Sequence, residues 1–144
     1  MTEPSRWCQH LDGQAMRGVT VTSTVVSVRP PVAVQYRKAG RPITLGKIYR
    51  QPDGSLALGT PYANRRFVTP SLPRVVLDWL LAAGVQDWVI RFDRLGTAYR
   101  LPLVDVECLS TVSPDGELAV PFRRFQRCEY PDWPYAERCI VIEP

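Results

Sequence analysis

The sequence has only two lysines, one histidine, four cysteines and no long apolar run, and each shortage removes a class of function. Without a stretch of about 18 apolar residues, a membrane-spanning helix is not expected. The beginning, MTEPSRWCQHLDG, lacks the apolar core of a secretory signal, so the expected location is the cytoplasm, where thiols stay reduced. The cysteines stand at 8, 108, 128 and 139 and make no Cys-x-x-Cys pair, the spacing that identifies a zinc site. Cys8 and His10 lie close in sequence, and a metal site there requires the fold to bring Cys128 and Cys139 to them. His10 also sits alone in the first segment, which leaves no evident base for Ser-His-Asp or Cys-His chemistry. Neither Gly-x-Gly-x-x-Gly nor a Gly-Lys-Ser/Thr loop occurs, so no nucleotide cofactor is expected.

What is present is the composition of one ordinary domain: 144 residues, 45% hydrophobic, 22% charged, with a net charge of +4. A chain of this length buries enough surface to fold without disulfides or metal. The charge is unevenly placed. Residues 1–50 hold eight basic and two acidic side chains (+6), residues 51–100 six and four (+2), and residues 101–144 four and eight (−4). Arginine supplies 16 of the 18 cations, which suits forked contacts to phosphate or carboxylate.

Alternating segments predict strands at 19–28, with a bulge near Val25, and at 32–36, where Val32, Val34 and Tyr36 share a face. Arg29-Pro30-Pro31 interrupts the ladder between them. Pro-Asp-Gly turns at 51–54 and 113–116 predict hairpins, the first between 43–50 and 55–58, the second ahead of a strand over 118–122. One amphipathic helix is predicted over Ser71–Ala83, with Ser71 as cap, Pro73 in its first turn and Gly84 as terminator. Strands 88–94 and 97–103 pair across Leu95-Gly96, setting Phe92 opposite Tyr99 and Ile90 opposite Leu101, with continuation through 105–109. A final strand covers 138–143. The expected fold is therefore α+β: a single domain over 18–144, with a twisted antiparallel sheet of five to seven strands and one main helix. Residues 1–17 read as a mobile arm.

Four constellations carry chemistry. Basic and aromatic residues interleave at Tyr36, Arg37, Lys38, Arg41, Lys47, Tyr49, Arg50, Tyr62, Arg65 and Arg66, the pattern with which sheets grip phosphates and stack bases. A second cluster, Arg123, Arg124 and Arg127 followed by Trp133 and Tyr135 in a proline-rich connector, has the side chains that anchor protein interfaces. Asp93, Asp105 and Glu107 form the best carboxylate set for the Mg²⁺ of a nuclease, although Arg91, Arg94 and Arg100 offer them ion pairs instead. The fourth is the Cys8, His10, Cys128, Cys139 group.

The run Leu72-Pro73-Arg74-Val75-Val76-Leu77-Asp78-Trp79, with Trp88-Val89-Ile90-Arg91-Phe92-Asp93, Tyr99-Arg100-Leu101-Pro102-Leu103 and the later Trp133-Pro134-Tyr135, resembles a group of small uncharacterised bacterial proteins often carried on plasmids and phages. That resemblance implies an accessory role on nucleic acid or on a nucleic-acid-processing complex, and assigns no catalytic residue. The expected function is a basic, non-catalytic accessory protein that binds nucleic acid or such a complex. The alternatives are an interaction module or inhibitor docking on a larger enzyme through the aromatic-proline loop, and a Mg²⁺-dependent nuclease. No membrane partner is expected.

Overall fold

A computed structural model describes residues 20–21, 28–62, 69–92, 96–129, 131–132 and 134–144. The predicted arm at 1–17, the bulge near Val25, and Arg65, Arg66, Asp93, Cys8, His10 and Trp133 lie outside them. The strands are β1 (Thr20–Val21), β2 (Val32–Lys38), β3 (Arg41–Arg50), β4 (Leu56–Tyr62), β5 (Ser71–Pro73), β6 (Val85–Phe92), β7 (Thr97–Pro102), β8 (Thr111–Val112), β9 (Glu117–Ala119), β10 (Gln126–Cys128) and β11 (Cys139–Ile142). Two short helices, α1 (Arg74–Ala82) and α2 (Val106–Leu109), join them. The main sheet runs β1-β11-β2-β3-β4-β6-β7-β10, and β5, β9 and β8 form a smaller one. No helix among the described residues is long and apolar enough to cross a membrane.

Local signals explain the hairpins. Between β3 and β4 the Gly54 amide donates to Gln51 O at 2.9 Å, while Asp53 Oδ1 accepts from the Ser55 amide at 2.9 Å. The second Pro-Asp-Gly turn closes in the same way, Gly116 N to Ser113 O at 2.9 Å, between β8 and β9. Proline presets the turn's φ, glycine takes the positive φ and aspartate satisfies a free amide.

The fold is α+β, as the patterning predicts, but the main sheet is mixed. β4 pairs parallel with β6, and β11 inserts in parallel between β1 and β2. Helix α1 provides the crossover that a parallel β4–β6 pair requires. It starts later than Ser71 because Ser71–Pro73 pair with β9, and Pro73 stands at the helix entrance with extended backbone. The Ser71 hydroxyl accordingly donates to Glu117 Oε1 at 2.8 Å instead of capping. The helix stops at Gly84, which adopts φ +85°.

Three further expectations are corrected. The β6–β7 ladder sets Phe92 opposite Thr97, Ile90 opposite Tyr99 and Trp88 opposite Leu101, two residues away from the predicted register. The connection therefore spans 93–96 rather than a two-residue turn, and a shift by two leaves Trp88, Ile90 and Leu101 on one face. The predicted strand through 105–109 is helical, a 3-10 turn at Leu103–Asp105 running into α2. The strand predicted over 118–122 is shortened to β9, with Phe122–Arg124 forming another 3-10 turn.

One face of the main sheet carries the principal core. Val32, Val34, Tyr36, Ile48, Leu58, Trp88, Ile90 and Leu101 pack there against Val76, Leu77, Trp79 and Leu80 of α1. The opposite face carries small and polar residues, Ala33, Lys47, Tyr49, Ala57 and Ala98, all buried. Something other than a helix must cover them.

Candidate binding surface

The cover is the connector 129–138. β10 and β11 stand at positions eight and two of the sheet order, so the chain leading from one to the other passes the strands between them. Pro131 and Pro134 suit a segment outside the ladders, because neither has an amide to leave unpaired. The strap lies on the face away from α1: Ala136 packs on Ala33 and Cys139 in a small buried group, and Lys47 Nζ donates to the Pro134 carbonyl. Small residues on the sheet give this layer its room.

Between the strap, the β3–β4 turn and the β7–β10 strands lies a cleft of about 740 Å³. Tyr49, Val89, Arg100 and Cys128 line it from the sheet, Arg50 and Asp53 from the turn, and Glu129, Pro131, Asp132 and Pro134 from the strap. Residues from both predicted clusters, Tyr49 and Arg50 from the first and the proline connector that follows the second, thus meet at one place. At the rim Gln51 Nε2 donates to Asp87 Oδ2 at 2.8 Å and to Ser55 Oγ at 2.8 Å, which fixes the turn to β6.

The electrostatics follow from burial. Lys47 is 2% exposed, and loss of hydration, with the Arg91 cation adding to it, lowers its pKa from 10.5 to about 8. Burial pushes the Tyr49 hydroxyl well above its ordinary value and pushes the Cys128 thiol up as well, against the opposing pull of Arg100. Burial thus favours the neutral form of both groups.

Lys47 makes a pH prediction. Between about 8 and 10.5 the unfolded chain holds the Lys47 proton while the folded protein releases it, so this group makes stability rise with pH across that window. Tyr49 and Cys128, with raised values, act in the opposite direction at the alkaline end. Urea unfolding of the wild type and Lys47→Met from pH 7 to 10.5 separates the contributions: the variant is expected to lack the rise. Parallel curves for the two proteins would contradict the assignment.

Compared with known protein families, curated proteins and solved structures, the chain matches none. What the surface does rests on its own chemistry.

The predicted basic-aromatic face is not one platform. Tyr36 points into the core beside α1, Tyr49 is buried on the other face at 3% exposure, and Lys47 is buried beneath the strap. Neither tyrosine ring offers a free stacking surface, and Tyr62 closes β4 beside the undescribed 63–68. Arg37 lies 3.9 Å from Glu143, whereas Lys38 and Arg41 are exposed beside the Ala39-Gly40 turn. Arg50 is exposed and donates to Gly54 O at 2.9 Å, some nine residues and about 30 Å along β3 from Arg41.

Of the carboxylate trio, Asp93 lies outside the described residues. Asp105 and Glu107 sit exposed on the helical turn where a strand was predicted, and Glu107 pairs with Arg74 at 3.3 Å. Cys128 stands on β10, last in the order of the main sheet, and Cys139 on β11, second in it. Among the described residues no group of three or more His, Cys, Asp or Glu side chains could hold a metal. Arg123, Arg124 and Arg127 are exposed, and Tyr135 on the strap is 50% exposed. Arg100, which the sequence suggests only as an ion-pair partner for the carboxylates, lines the cleft from β7. Its available signal was parity: Ala98 and Arg100 alternate with Tyr99 and Leu101 on the apolar face.

Proposed function

We propose that the chain is a non-catalytic binding protein whose partner is another protein, docked on the cleft beneath the strap. The observation that carries this reading is the mixed charge of the cleft wall, Arg50 and Arg100 against Asp53, Glu129 and Asp132. Three carboxylates beside two guanidinium groups repel a continuous phosphate backbone but complement a polypeptide surface bearing both signs. The exposed ring of Tyr135 and the prolines of the strap add rigid contact area at little entropic cost.

A second reading, contact with nucleic acid, is favoured by the exposed arginines 100, 123, 124 and 127 around the β7–β10 edge, whose planar forks match phosphate oxygens. Capture of the tagged protein from its native host, with and without nuclease treatment, separates the two. A partner protein that survives nuclease is the expected outcome. Retention of nucleic acid alone, with binding that falls steeply in salt, would replace the first reading by the second.

A further inference from the structure

We infer that β10 is a strand-addition site for an extended, acidic segment of the partner protein. The inference rests on the reading that the partner is a protein and specifies how that protein attaches. Among the described residues β10 ends the main sheet, pairing on one side with β7. Every second residue of such a strand turns its N–H and C=O away from the sheet, a template for another chain. Gln126 and Arg127 are exposed along it.

Charge selects the occupant. Arg123 and Arg124 immediately precede β10, Arg127 lies within it, and Arg100 stands directly across from Gln126 on β7. The ion pairs found among the described residues are Arg37–Glu143 and Arg74–Glu107, which include none of these four. A second copy pairing antiparallel about β10 would set Arg127 against its own counterpart, which is unfavourable, whereas an acidic strand meets it with opposite charge. An acidic strand gains where a copy of this chain loses. Glu129 and Asp132 follow β10, so the acidic residues of the partner belong at the Arg123 end.

The edge is also held in place. Phe125, just before β10, meets Trp88 edge-on at 5.3 Å and stacks on Phe122 at 5.8 Å, and Phe122 meets Tyr99 at 4.9 Å. A pre-ordered edge costs little entropy to engage. Three residues offer few backbone bonds, however, so the arginines must supply much of the affinity and binding must weaken in salt.

The test uses the full chain and a short labelled peptide of alternating Glu and Val, with a Lys/Val peptide of the same length and single-stranded oligo-dT as comparisons. The Glu/Val peptide is expected to bind at least about tenfold more tightly than the Lys/Val peptide, and Arg127→Glu to remove about tenfold of that affinity. Hydrogen exchange distinguishes strand addition from simple attraction: amides within 126–128 gain protection on binding. Peptide binding without that protection, or equal affinity for the two peptides, would overturn strand addition. A nuclease-resistant partner captured from the host would still support the protein-binding reading in that case. Tight binding of oligo-dT with no binding of the Glu/Val peptide, together with capture of nucleic acid alone, would overturn both.

Discussion

Gly46→Ala is expected to destabilise the protein severely. Gly46 stands on β3 where the β2–β3 register slips between Val34 and Gln35, so that Val34 faces Gly46 while Gln35 faces Thr44. A Cβ at this position would collide with the carbonyl oxygen and carbon of Gly59 on the neighbouring strand. Both obstacles are backbone, and β3 and β4 are interior strands held on both sides, so neither can retreat without breaking a ladder. We expect a loss on the order of 4–5 kcal/mol, a large share of the roughly 5–15 kcal/mol that stabilises a domain. Urea unfolding followed by circular dichroism measures it. A midpoint close to the wild type's would show that the strands do not approach as described.

Trp88→Ala is expected to cost about 3–5 kcal/mol, a drop in melting temperature of roughly 6–20 °C. Trp88 is 1% exposed, its Nε1 donates to Thr60 Oγ1 at 3.1 Å, and its ring meets Phe125 edge-on. Truncation removes the largest side chain beneath the β7–β10 edge and leaves a cavity there. The loss should therefore reach the surface: amides of β10 are expected to exchange faster in the folded variant than in the wild type. Trp88→Phe keeps a ring against Phe125 and should retain most of the stability. Equal melting temperatures for wild type and Trp88→Ala would mean that this ring is not the anchor of the edge.

The features legible in the sequence are those that local chemistry dictates. Pro-Asp-Gly fixes its turn wherever it occurs, and Val75 to Leu80 can bury one stripe only as a helix. Parallel pairing is different, because nothing near β4 or β11 encodes the distant strand beside it. The segment 103–109 shows why short alternation misleads: Leu103 and Val106 are buried with Val104 and Asp105 exposed between them, a spacing of three that a helical turn satisfies and a strand does not.

The site was legible in its parts and not in its assembly. Tyr49 and Arg50 stood out in one cluster, and the proline connector in another, because their composition is unusual. That they share a cleft follows only from the strap's path between β10 and β11. The same path buries Lys47, which the sequence alone presents as one more solvated cation on a basic face. Tyr36 and Tyr49 look equivalent by composition, yet strand parity sends them to opposite faces, Tyr36 with Val32 and Val34 and Tyr49 with Lys47 and Ala33.

The central claim is that a protein partner docks on this cleft, and Arg100 is the residue through which to test it, since it is exposed, lines the cleft and lies outside both cores. Nuclease-treated capture from the native host, run side by side with wild type and Arg100→Glu, is the most direct measurement. The wild type is expected to retain a protein partner, and the variant to lose it while melting at the same temperature. A partner retained equally by both proteins, or nothing retained once nucleic acid is digested, would contradict the claim.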